Sequence, residues 1–324
     1  LISKVMGIFR QSLIGYYYGQ SVYTDAFNYA NEIALILTVV LNTTIHLVII
    51  PMLSKTKENY SSEEGEIYFS KIVNLVTLIN IGLVLVVIIF AKPMVNLIIP
   101  NFPKEHLDLT VKMVRIIAPS IIFLGFCSCF GAYLNSLNIF APFAALGIIV
   151  NLTFYIGLLA LGKFNNIIDL SYIATAGSLA QAVFLYIFLK RQKYKHKISI
   201  KDDKGYLKET MYLMLPLTSK EMISQGANAV INSIVSGLME GSKTILRTSY
   251  NLFGAVLSLS ITSVSTVLYP SLAKAFNSGD KKFIKKVIDK GIIITIMVLI
   301  PFTFGVIILS KPLISFISVS YTHL

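Results

Sequence analysis

The sequence predicts an all-α polytopic membrane protein, and three observations predict it. The 324 residues are 55% hydrophobic and only 14% charged, where a soluble domain carries about 25% charged residues, and mean hydropathy is +0.73. The apolar surplus is gathered into uncharged runs at 33–54, 72–91, 116–162, 222–239, 248–273 and 291–310. Most of them reach the length of about 20 residues that crosses a bilayer as helix. Alternation with period two is absent and the runs far exceed barrel strands, which excludes a β-barrel. The same composition excludes a cytosolic enzyme, a disordered chain and a secreted disulfide scaffold.

In chain order, a span-sized window gives about nine helices, at 1–18, 27–50, 70–91, 113–135, 140–162, 169–189, 209–239, 245–273 and 287–310. The run 116–162 is 47 residues long and must hold two spans; Asn135-Ser-Leu-Asn138 with Pro142 marks the turn between them. Cys127 and Cys129 lie two apart within it. Helical neighbours at that spacing point apart, so they form no disulfide with each other, and with no acid or His beside them they read as small buried apolar residues.

Basic residues set the orientation. Loop 190–208 carries Lys190, Arg191, Lys193, Lys195, Lys197, Lys201, Lys204 and Lys208, and the loop after the eighth helix carries Lys274, Lys281, Lys282, Lys285, Lys286 and Lys290. On the other side, loop 163–168 has only Lys163, loop 240–247 only Lys243 and Arg247, and loop 19–26 none. The positive-inside rule then places the even-numbered loops and the N-terminus in the cytoplasm. The net charge of +12 is explained by loops that attract anionic phospholipids, with no call for nucleic acid.

Both ends are expected to be artificial. Residue 1 is Leu, inside an apolar stretch already under way, with no basic region of the kind that opens a signal peptide. The last six residues, Val319-Ser-Tyr-Thr-His-Leu324, are what GTCTCTTATACACATCT encodes in one frame. That string matches a transposon end used in sequencing libraries, so 319–324 reads as adapter read-through.

An internal repeat suggests the organisation. The second helix ends in Pro51-Met-Leu-Ser-Lys55 and the eighth in Pro270-Ser-Leu-Ala-Lys274, 219 residues later. An offset of six helices from one copy to the next implies two six-helix lobes in parallel repeat, which is transporter architecture. Residues 1–190 are then the N-terminal lobe, 191–208 a basic linker, and 209–318 part of the C-terminal lobe.

Ser3-Lys-Val-Met-Gly-Ile-Phe-Arg10 followed by Thr24-Asp-Ala-Phe27 resembles the opening of the MurJ/MviN family of lipid II flippases. Arg115-Ile-Ile-Ala-Pro119 with Gly131-Ala-Tyr-Leu-Asn135, Pro142 through Asn151, and Thr266 through Lys274 with Phe276-Asn-Ser-Gly279 are similar to further family blocks in collinear order. The resemblance implies a fourteen-helix two-lobe fold, truncated here at both ends, in the bacterial plasma membrane. It implies no enzyme but a transporter, a monomer, that moves undecaprenyl-linked peptidoglycan precursor from inner to outer leaflet. No cofactor is implied beyond coupling to membrane potential, sodium or protons.

The resemblance also selects residues. Arg10 matches a family cavity arginine that holds pyrophosphate, a role its bidentate fork suits; the alternative is an arginine snorkelling to the interface. Lys4 stands where the family has a second Arg, and Asp25 matches a family Asp, although an acid at a helix start is also an ordinary dipole partner. The family's arginine in the eighth helix aligns with Asn251, and Arg247, one turn earlier, shares its face. Thr38-Val-Val-Leu-Asn-Thr-Thr44 lacks the basic residues of many members. In the seventh helix, Glu221 and Asn228 are candidates for a coupling ion; Lys220, about 100° away around the helix, is not expected to neutralise Glu221. His46 reads as a packed polar residue. The alternatives to a lipid II flippase are an exporter of another lipid-linked oligosaccharide or of drugs, and an inactive scaffold of the same fold.

Overall fold

The computed structural model describes residues 2–160, 166–199, 205–251, 253–254 and 281–318, and its regular structure there is helical. The elements are α1 (Ile2–Tyr18), α2 (Val22–Asn59), α3 (Ser62–Ile98), α4 (Lys104–Ile117), α5 (Ser120–Ser136), the single turn α6 (Ala141–Ala144), α7 (Leu146–Ala160), α8 (Asp169–Arg191), α9 (Tyr206–Val235) and α10 (Lys281–Ser318). A helical run at 242–251 follows α9.

Among the described residues, α2, α3, α8 and residues 282–305 of α10 are long and apolar enough to cross a membrane, and α4 with α5 makes a fifth span bent by 41°. The bend falls at Ala118-Pro119. Proline has no N–H to give the preceding turn, so the ladder breaks there. The nine expected spans are not all met by this measure. The helices α1 and α7 have only 17 and 15 residues, α9 is continuous over 30 residues but carries Lys220, Glu221 and several amide and hydroxyl side chains, and most of the expected helix 245–273 lies outside the described residues, as does 319–324.

Helix ends also move. The second expected helix stops at Pro51, whereas α2 continues through it to Asn59. Pro51 removes only the bond to Leu47, and both residues are on the exposed side of the helix, so no carbonyl is orphaned in the core. Likewise α3 runs through Pro93, and α4 begins at Lys104, which shrinks the expected outer loop 92–112 to 99–103. The turn at Asn135–Asn138 is where α5 ends, with Asn138 left-handed at φ 61°.

The chain divides into two compact units, residues 1–19 with 246–324, and residues 20–245. In the second, α2 is the central element, packed by α3, α4, α5 and α9, with α8 on the far side of α5. Its core joins Ile49 and Leu53 of α2, Phe69 and Ile72 of α3, Cys129 and Leu134 of α5, and Leu185 of α8. Both cysteines are buried. In the first unit, α1 lies against α10.

Candidate functional site

The first turn of α2 is built by Thr24, whose hydroxyl donates to Ser21 O at 2.8 Å while Ser21 N–H donates back to it at 3.0 Å. That frees Asp25 for another task. It is 4% exposed, and its Oδ1 accepts from Thr244 N–H at 2.8 Å and from Thr244 Oγ1 at 2.6 Å. Thr244 stands in the first turn of the run 242–251, so Asp25 places a carboxylate on the positive end of a helix that is not its own. Asn28, one turn on, donates to Thr244 Oγ1 at 2.9 Å.

One further turn along α2, Glu32 meets Lys243. Lys243 Nζ donates to Glu32 Oε2 and to Asn232 Oδ1, both at 2.6 Å, and Asn232 Nδ2 donates to the same Oε2 at 2.9 Å. The ammonium also sits 5.1 Å from the centre of the Tyr29 ring. The side chain of Lys243 is 5% exposed and that of Glu32 41%. An apolar environment tolerates an ammonium only when it is paired and hydrogen-bonded, and here it is both. The hairpin that delivers Lys243 turns at Gly241, at φ 82°, where a Cβ would come 3.1 Å from Gln20 O; glycine is required there.

Beside this cluster lies a cavity of about 270 Å³ whose polar lining is Asn31, Glu32, Gln225, Asn228 and Asn232. A second, of about 400 Å³, lies deeper along α2, between Thr38, Asn42, His46, Ser128 and Gln181. His46 stacks on Phe143 at 4.3 Å, with Nδ1 3.3 Å from Ser128 O and Nε2 3.2 Å from Asn135 Nδ2. It is held as a packed polar residue is. Among the described residues no group of three or more His, Cys, Asp or Glu is placed to hold a metal ion.

The sequence-selected residues fall in both compact units. Lys4, Arg10, Arg247 and Asn251 belong to one compact unit, and Asp25, Glu221 and Asn228 to the other. Arg10 and Arg247 are half-buried, Asn251 is exposed, and Lys4 is exposed with Nζ donating to Gly254 O at 3.2 Å. Asn228 lines the 270 Å³ cavity and Glu221 does not. Glu221 is instead paired: Lys220 Nζ lies 3.0 Å from its Oε1. The angle between adjacent residues is no bar to contact, because two long side chains can reach round the helix to each other.

Sequence reasoning passed over Glu32 and Lys243. The signal was present: Glu32 lies inside the expected helix 27–50, and an acid within a span needs a partner. Lys243 reads from the sequence only as an outer-loop cation.

Long apolar helices and a span broken at proline define a polytopic helical membrane protein, with cavities among its helices that carry a few polar side chains in mainly apolar walls. Its arrangement is similar to a solved lipid II flippase MurJ in an inward closed conformation, with a TM-score of 0.79 and 26% identity, covering 98% of this chain and 65% of that one. It also shares the fold of an inward-facing multidrug resistance transporter of the MATE family in the MOP superfamily, at a TM-score of 0.72 and 10% identity, covering 98% and 72%. The family model for lipid II flippase MurJ matches residues 14–319, and the chain belongs to that family. A probable lipid II flippase MurJ of Rickettsia prowazekii is 28% identical over 320 residues, 98% of this chain and 63% of its own length. The lipid II flippase MurJ of Burkholderia cenocepacia is 22% identical over 322 residues, 97% and 62%. This chain therefore spans somewhat under two thirds of the length of the curated relatives it matches.

Proposed function

We propose that the protein moves a lipid-linked peptidoglycan precursor, lipid II, from the inner to the outer leaflet of the bacterial plasma membrane by alternating access. The observation that carries this reading is family membership along residues 14–319. The physical need is plain. A disaccharide-peptide-pyrophosphate headgroup cannot enter hydrocarbon unaided, since each unpaired polar group costs several kcal/mol there. A polar cavity that opens to one side and then the other removes that barrier while the lipid tail stays in the bilayer, and no covalent step is required.

In this reading the N-terminus and the basic loop 190–208 face the cytoplasm, where the loop meets anionic phospholipids, and the protein works as a monomer of two lobes. Arg10 is the principal pyrophosphate contact, supported by Lys4 and by Arg247, with Asn251 beside it in place of an arginine. Asp25 holds the start of the run 242–251, and Glu221 and Asn228 belong to the coupling to sodium, protons or the membrane potential. The departure at Asn251 and the cation-free stretch Thr38–Thr44 favour the second reading, an inactive scaffold of the same fold.

The test is complementation of a strain depleted of its own flippase, with the gene expressed from its full reading frame and lipid II measured in each leaflet. Rescue is expected, and Arg10→Gln at matched membrane levels should abolish it, because Gln offers no charged fork to pyrophosphate. Failure of the unaltered gene would reject the transport reading in favour of the scaffold. Unchanged flipping by Arg10→Gln would leave the transport reading standing and take Arg10 out of the site.

A further inference from the structure

Lys243 ends in a cage that has the composition of a ligand site. A carboxylate oxygen and an amide oxygen each accept from its Nζ at 2.6 Å, and the face of Tyr29 closes a third side at 5.1 Å. That set of acceptors is selective. Two oxygens at hydrogen-bond distance ask for N–H groups, and the aromatic face asks for a cation. A metal ion gains little from the ring and would want more carboxylates than one. Glu32 Oε2 takes both the lysine and Asn232 Nδ2, so Oε1 is left with no hydrogen bond among the described residues. Glu32 and Asn232 also line the 270 Å³ cavity, so two of the three cage residues are shared between the buried lysine and an open space. Every residue involved belongs to the single compact unit 20–245.

We infer that Glu32, Asn232 and Tyr29 form a primary-ammonium site that Lys243 occupies as a tethered ligand, and that the adjoining cavity admits the alkylammonium group of a free ligand to the same acceptors. The cavity has room for several non-hydrogen atoms, since a water takes about 30 Å³ in the liquid. A bound ammonium group that displaced Lys243 would undo its tie between α2 and the segment 236–245, leaving the bonds of Asp25 and Asn28 to Thr244. The tethered lysine competes at high effective concentration, so an amine binds weakly while Lys243 is present and well once it is gone. This site stands on its own contacts and goes beyond the transport reading.

Chemical rescue tests it. Lys243→Ala removes the butylammonium arm and leaves the cage, and n-propylammonium chloride is the probe. Added to the purified variant in detergent, it should raise the unfolding temperature by about 2–4 °C. Tetramethylammonium chloride, which donates no hydrogen bond, and sodium chloride at equal concentration should not. Glu32→Gln in the Lys243→Ala background should weaken the response about tenfold or more, and the unaltered protein should respond little. Equal shifts with all three salts would mean ionic screening and overturn the site. So would the absence of any shift in a Lys243→Ala variant that elutes as a single species with unaltered helicity. If that variant does not fold alone, extraction in propylammonium should recover folded protein where extraction in sodium chloride does not; equal recovery, or none in either, overturns the site as well.

Discussion

Two segments fold back onto the α2–α3 layer after a helix has ended, and they are held in opposite ways. Segment 236–245, after α9, is fastened to α2 by buried charge: Asp25 on Thr244, and Glu32 with Asn232 on Lys243. Segment 194–199, after α8, is fastened to α3 mainly by neutral hydrogen bonds, half-buried at Tyr194 and exposed beyond it. Tyr194 Oη lies 2.6 Å from Ser70 Oγ, Asn74 Nδ2 donates to Lys197 O and Ser199 O at 3.0 and 3.1 Å, and His196 Nε2 meets Asn74 Oδ1 at 2.8 Å. Its ion pair, Lys197 with Glu63 at 3.1 Å, has side chains 52% and 75% exposed, and such pairs contribute about 0–1 kcal/mol. The buried attachment is all-or-none, because a charge left alone there is costly. The exposed one loosens by degrees, because water replaces each lost bond.

The largest effect should therefore come from Glu32→Ala. It strands the Lys243 ammonium, and breaking a buried pair costs about 3–5 kcal/mol, which the partial exposure of Glu32 reduces to about 2–3 kcal/mol. Lys243→Met should cost less, since the carboxylate it leaves is open to the cavity. The double variant should recover most of the loss, and a double that is as unstable as the sum of the singles would show the pair to be uncoupled. Both native cysteines are buried, so a maleimide dye that reacts as they are exposed reads the unfolding directly.

Asp25→Ala comes next. It deletes two charge-assisted bonds to Thr244, and bonds of that type contribute about 1.5–3 kcal/mol each at most. The loss is limited, because Asn28 still donates to Thr244 Oγ1; a net loss of about 2 kcal/mol is expected in the same thermal assay. Asp25→Asn should recover the acceptor but not the charge at the helix start, and so fall between. An Asp25→Ala variant as stable as the parent would break the contrast between the two segments.

The contrast also shows what sequence could disclose. The spans α2 and α3 follow from uncharged runs and α8 from a span-sized apolar window, because a bilayer imposes a length and a composition that can be read one residue at a time. The end of α5 follows from Asn135 to Asn138 for a similar local reason. The pairing of Glu32 with Lys243 does not, since it joins residues 211 apart and depends on how tightly Gly241 turns the chain. The bend at Pro119 and the unbroken passage of α2 through Pro51 differ for a reason no local motif holds. At Pro51 the released carbonyl lies on an exposed side, whereas α5 has to leave the direction of α4 to pack between α2 and α8. Asp25 was selected by resemblance, yet its partner Thr244 is visible only in the fold.

On the exposed side, Tyr194→Phe should cost about 0.5–1.5 kcal/mol. It loses the bonds to Ser70 and to His196 Nδ1, at 2.6 and 2.9 Å, but keeps the ring contacts with Phe69 and Tyr133 at 5.1 and 5.4 Å. Proteolysis within 194–199 should quicken by a fewfold while the thermal transition barely moves. Loss of global stability as large as that of Glu32→Ala would mean the segment is part of the core after all.

The smallest effect is the pH dependence of the same attachment, through His196. Burial disfavours its charged form, so its pKa lies below the ordinary 6.5. Nε2 faces a carbonyl oxygen on Asn74 and so carries the hydrogen, while Nδ1 accepts from the Tyr194 hydroxyl. The sign follows from the direction of the shift. The released segment binds a proton more readily than the docked one, so docking is at full strength above pH 6.5 and weakens as the pH falls through that value toward the lower docked pKa. Hydrogen exchange at the amides of 194–199 should accelerate on going from pH 7.5 to pH 5.5, once corrected for intrinsic rates, while exchange at 236–245 keeps its protection. His196→Gln, whose amide can still donate to Asn74 but does not titrate, should flatten the response. Acceleration that persists in His196→Gln would assign the pH dependence to a group elsewhere, and equal acceleration in both segments would erase the distinction between the buried attachment and the exposed one.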